Sequence, residues 1–97
     1  MMNKDNVVFK PIDVSAINPV YDNDGRITEW GLTVTYDNKD VVPPHVKGAR
    51  VNNVKSADKK TLAEYHFPES VMKQGLERAW LFRDALLKQI ARQEESR

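Results

Sequence analysis

The spacing of apolar residues changes period once along this chain, at Pro68, and that change limits the folds open to it. Before it, Trp30, Leu32, Val34 and Tyr36 alternate with Glu29, Gly31, Thr33 and Thr35. Successive side chains of a strand point to opposite faces, so Ile27–Tyr36 predicts a strand with one buried and one polar face. Thr61, Ala63, Tyr65 and Phe67 repeat the pattern over 60–67, with Leu62, Glu64 and His66 turned the other way. Beyond Pro68, Met72, Leu76, Ala79, Trp80, Leu86, Leu87 and Ile90 recur at helical spacing and predict an amphipathic helix over about 69–91. Pro68 and Glu69 suit its first turn, and Ser70 is an available cap. On this reading Trp80 is a core residue. Gly75 and Ala79, four apart on the stripe, let the helix sit close on the sheet.

The remaining strands are weaker. Val7-Val8-Phe9 and 14–21 read as short strands interrupted by Pro11 and Pro19, which suits sheet edges. Asp22-Asn23-Asp24-Gly25 is a turn in which Gly25 can take positive φ. Ser56-Ala57-Asp58-Lys59 reads as a hairpin turn after a strand at 49–55. Pro43-Pro44 opens a loop. The fold expected is α+β, one domain over 1–97. It has a small antiparallel sheet of three to five strands, about 7–67, packed against one long C-terminal helix.

Ninety-seven residues suffice for one such core without staples. The chain has no cysteine, which excludes disulfides and thiolate metal sites and fits a reducing cytoplasm. No apolar stretch approaches the roughly 20 residues that cross a membrane. The polar opening Met1-Met2-Asn3-Lys4-Asp5 is unlike a signal peptide, so a cytoplasmic location is expected.

The formal net charge is only +1, yet its distribution is uneven. Residues 1–41 carry seven acids against four bases, and residues 42–61 carry five bases against one acid. An autonomous nucleic-acid binder draws much of its affinity from phosphate neutralisation and usually has a basic excess. This chain has an acidic half and a basic patch instead.

The residues offer no catalytic constellation. His45 and His66 stand twenty-one apart with no cysteine, so no metal site is expected. Four scattered glycines make no phosphate loop, and no serine sits in a nucleophile elbow. A non-enzyme without a cofactor is expected. Asp22 with Asp24 and Asp37 with Asp40 sit in turns, where bonding to their own backbone is the ordinary role.

Phe67, the helix start, Gly75, Ala79 and the string Phe82-Arg83-Asp84-Ala85-Leu86-Leu87 resemble Apetala-type DNA-binding domains and the related integrase arm-binding domains. The resemblance covers roughly residues 27–91 and implies a three-stranded antiparallel sheet laid on a C-terminal helix. It also implies a buried aromatic closing the last strand, and a phage or other mobile element as the source. Those domains read the DNA major groove with the exposed sheet face, using arginines, tryptophans and other donors. Here that face offers Glu29, Gly31, Thr33 and Thr35, then Leu62, Glu64 and His66. Only Arg50, Lys55, Lys59 and Lys60 can approach phosphates, and these are the alternative nucleic-acid-binding residues.

Carboxylates facing a phosphate backbone are repelled, so the face suits a basic protein surface better than DNA. In size, lack of catalytic residues and acidic N-terminal half the chain is similar to small phage-encoded anti-CRISPR proteins. Some of these imitate DNA on the Cascade surveillance complex. That resemblance implies a partner with a basic nucleic-acid groove in the bacterial host cytoplasm, and weak binding to free DNA. Asp22, Asp24, Glu29, Asp37, Asp40 and Glu64 are then the partner-binding residues.

Overall fold

The protein is described by a computed structural model over residues 10–37, 43–69 and 74–95. The expected strand Val7-Val8-Phe9, the cap Ser70 and the stripe residue Met72 lie outside the described residues. Among the described residues five strands and one helix follow in order: β1 (Pro11–Val14), β2 (Asn18–Tyr21), β3 (Ile27–Tyr36), β4 (Arg50–Ala57), β5 (Lys60–Pro68) and α1 (Gly75–Glu95). All pairings are antiparallel. The fold is therefore the expected α+β arrangement of one sheet against one C-terminal helix.

The sheet order is β1-β3-β5-β4, with β2 also paired to β3, so the last strand in sequence lies between β3 and β4. The stretch expected as one proline-interrupted strand at 14–21 is two short strands laid end to end along one edge of β3. Ser15 bridges the gap between them. Its N–H donates to the Thr33 carbonyl at 2.9 Å, and its hydroxyl accepts from the Thr33 N–H at 2.8 Å. Pro11 and Pro19 are tolerated because this is an edge.

The period-two readings of β3 and β5 hold residue by residue. Leu32, Val34, Tyr36, Thr61, Ala63, Tyr65 and Phe67 are buried under the helix. Phe82 of α1 seals that layer, with its ring 4.8 Å from Tyr65 and 5.6 Å from Phe67 between centroids. The β4–β5 hairpin turns on Asp58 and Lys59 alone, at φ of 50° and 65°. That is the two-residue turn whose twist matches its flanking strands, made here without glycine.

Two sequence expectations for the helix need correction. The first is its start. Pro68 ends β5 and Glu69 precedes α1, because the Glu69 N–H donates to the Thr28 carbonyl at 2.8 Å and extends the β3–β5 ladder. The Glu69 carboxylate then reaches the helix from outside, accepting from the Gly75 N–H at 2.9 Å and from Trp30 Nε1 at 3.0 Å. It thus serves an orphan donor at the positive end of the dipole. At the other end α1 runs on to Glu95, past the expected stop near Ala91.

The second correction is Trp80, which is 54% exposed instead of buried; Leu87 is likewise 41% exposed. Each helical residue turns about 100° from the last, and Ala79 points straight into the sheet at 0% exposure. Trp80 is therefore carried onto the flank. The buried face is Gly75, Ala79, Phe82, Leu86 and Ile90, with Phe82 and Ile90 partly covered. At Gly75 the approach is tight: an added Cβ would stand 2.9 Å from the Pro68 carbonyl oxygen and 3.1 Å from that of Phe67.

Candidate binding face

The helix covers one side of the sheet, no described helix covers the other, and the register decides what is displayed there. Gly31 pairs with His66, Arg50 pairs with His66 from the other side, and Asn52 pairs with Glu64. Because Gly31 has no side chain, the His66 imidazole lies over it; an added Cβ would stand 3.3 Å from Nδ1. His66 Nδ1 is then 3.5 Å from Glu29 Oε1, and Nε2 is 3.4 Å from Glu64 Oε1. Arg50 Nη2 donates to both Glu29 oxygens at 2.8 Å.

The result is a row, Arg50–Glu29–His66–Glu64, across three strands. Both imidazole nitrogens are shielded from solvent, and neither has a hydrogen-bond partner among the described residues. Beside this row is a shallow hollow of about 150 Å³, lined by Asn18, Val20, Gly31, Leu32, Thr33, Glu64 and His66.

The carboxylates expected to act together are distributed over three places. Asp22 and Asp24 lie in the β2–β3 turn, where Asp22 Oδ1 accepts from the N–H groups of Asp24 and Arg26 at 2.8 and 2.9 Å. That is the backbone-bonding turn role of such residues. Asp37 follows the far end of β3, and its N–H donates to the Lys10 carbonyl at 2.8 Å. The rise of the intervening strand separates the two groups by roughly 30 Å. Glu29 and Glu64 stand between, on the open face, and Asp40 lies outside the described residues. Asp13, opposite Thr35 on β1, adds an exposed carboxylate that the sequence pattern did not single out.

The bases divide as well. Lys55, Lys59 and Lys60 are exposed at the tip end of the β4–β5 hairpin. Arg50, at the opposite end of β4, is held by Glu29. His66 was legible only as a residue facing away from the core. Its two carboxylate neighbours follow from strand pairing, which no local signal encodes. Among the described residues no group of three or more histidine, cysteine or acidic side chains is placed to hold a metal ion. No described helix is long and apolar enough to cross a membrane.

A small α+β domain with a charged, open sheet face is the class that these features define. Comparison of the chain with protein-family models, curated proteins and solved structures finds no match.

Proposed function

We propose that the chain is a non-enzymatic binding domain that presents the acidic side of its sheet to a protein surface rich in lysine and arginine. The observation that carries this reading is the separation of charge across the sheet. Asp13, Asp22, Asp24 and Glu29 lie on β1, β3 and the β2–β3 turn, with Arg26 the base among them. Lys55, Lys59 and Lys60 lie at the tip end of the β4–β5 hairpin, with Asp58 the acid among them and Asp37 beside Lys60. A groove that ordinarily holds nucleic acid has the complementary chemistry. In a phage-borne protein the corresponding target is a bacterial CRISPR surveillance complex, whose binding of target DNA the chain would block.

The experiment is a competition assay with a purified Cascade complex and its duplex target. The unmodified chain is expected to displace the duplex. Asp24→Lys combined with Glu64→Lys is expected to weaken that displacement at least tenfold. These two positions are chosen because Glu29 is tied to Arg50 and Asp22 holds its turn together.

The exposed lysines at the hairpin tip favour a second reading, direct binding of nucleic acid. Tight, salt-sensitive binding of the unmodified chain to bare duplex DNA would replace the first reading with the second. Loss of that binding on Lys59→Glu with Lys60→Glu would locate it.

A further inference from the structure

The outer face of α1 carries apolar surface that the sheet does not use. Trp80, Leu81 and Leu87 are 54, 64 and 41% exposed, while Ala79 and Leu86, which precede Trp80 and Leu87 and lie about 100° from them round the helix, are buried. Trp80, Asp84, Leu87 and Ala91 follow one another at intervals of four, three and four residues, the spacing of a helix-pairing seam. Leu81 and Lys88 flank it. The indole is also held in place: the Arg83 guanidinium lies 5.9 Å from its centroid, and Arg83 Nε donates to the Ser15 carbonyl at 2.8 Å. An exposed tryptophan steadied by an arginine is the kind of side chain on which interfaces concentrate their energy.

We propose that this stripe is the contact of a homodimer in which two copies of α1 pack antiparallel about a two-fold axis level with Leu86. The occupant is a second copy because the stripe is self-complementary in charge. Asp84 and Lys88 are both exposed and pair within the helix at 3.1 Å. Opposed chain directions about that axis bring Asp84 level with Lys88 of the partner subunit, and the symmetry makes the contact twice. Leu81 comes level with Ala91 of the partner subunit, and Leu87 lies one residue from the axis beside Leu87 of the partner subunit. Trp80 covers the last turns of the opposite helix. A parallel pair would instead set Asp84 against Asp84 of the partner subunit, and like charges directly opposed are destabilising.

Sedimentation equilibrium of the full chain from micromolar to millimolar concentration tests the proposal. A reversible monomer–dimer equilibrium is expected. Trp80→Ala should raise the dissociation constant at least tenfold while circular dichroism remains that of the parent. Asp84→Lys and Lys88→Asp should each give monomers, since each makes the seam single-signed. An equimolar mixture of those two variants should form a heterodimer, with lysine facing aspartate at both contacts. A chain that stays monomeric at millimolar concentration overturns the proposal. So does a dimer whose constant is unmoved by Trp80→Ala and by both charge reversals.

Discussion

The hydroxyls of Tyr36 on β3 and Tyr65 on β5 meet at 2.8 Å inside the core, and the Tyr65 hydroxyl also donates to the Pro44 carbonyl at 3.1 Å. Each phenol has one proton, so while Tyr65 donates to Pro44 the proton between the two hydroxyls comes from Tyr36. This short relay ties the Pro43-Pro44 segment to the centre of the sheet. Burial pushes both phenols above their ordinary value of 10.0, since the charged form would be desolvated.

The pH dependence of stability follows from that direction. Above pH 10 the unfolded chain releases phenolic protons that the folded chain retains, so stability falls as pH rises further. Below pH 10 this contribution is fully present. Urea melts up to about pH 11 should show a declining midpoint, and Tyr36→Phe with Tyr65→Phe should flatten the decline. At neutral pH Tyr65→Phe alone should cost about 1–3 kcal/mol, because it strands the Pro44 carbonyl and removes a partner of Tyr36.

The buried face and the exposed flank of α1 should respond unequally to truncation. Leu86→Ala removes a buried side chain from the seam between helix and sheet and should cost about 2–5 kcal/mol. Trp80→Ala, on the exposed flank, should cost less than about 1 kcal/mol in spite of the larger side chain. Denaturant melts of the two variants, at a protein concentration low enough that the chain is monomeric, give the comparison.

Gly75→Ala should destabilise the domain although alanine is the better helix former. The gain in propensity is about 1 kcal/mol. Against it, the new methyl would stand 2.9 Å from the Pro68 carbonyl oxygen, a backbone atom that cannot swing aside. Overpacking of that kind costs about 1–3 kcal/mol, so a net loss is expected in thermal or urea melts. A gain would mean that the helix start shifts away from β5 without penalty.

The hairpin turn gives the opposite case. Lys59 holds φ at 65° with a Cβ attached, a conformation that disfavours side-chain-bearing residues by about 1–2 kcal/mol. Lys59→Gly removes that strain but gives the unfolded chain more freedom, and a net stabilisation of about 1 kcal/mol is expected from chemical denaturation. Pairing the change with Asp58→Asn keeps a residue that tolerates positive φ at the first turn position.

What the amino-acid sequence determined by itself is what depends on local periodicity. The two-residue repeat of Trp30 to Tyr36 and Thr61 to Phe67 assigns every side chain of β3 and β5 to its face, because strand geometry leaves no other choice once one face is apolar. The change at Pro68 likewise separates sheet from helix. The stripe on α1 was harder to read, since apolar residues occur on more than half its circumference. Trp80 and Ala79 are neighbours in sequence but about 100° apart in space, and only the packing of Ala79 against the sheet decided which faced inward. The same holds for the open face. Glu29, Arg50, Glu64 and His66 come from three segments up to 37 residues apart, and they meet because β5 inserts between β3 and β4. Strand order and register are set by the competition of all possible pairings for one hydrophobic layer. That competition is a property of the whole chain, so the charged row it assembles exists only in the tertiary structure.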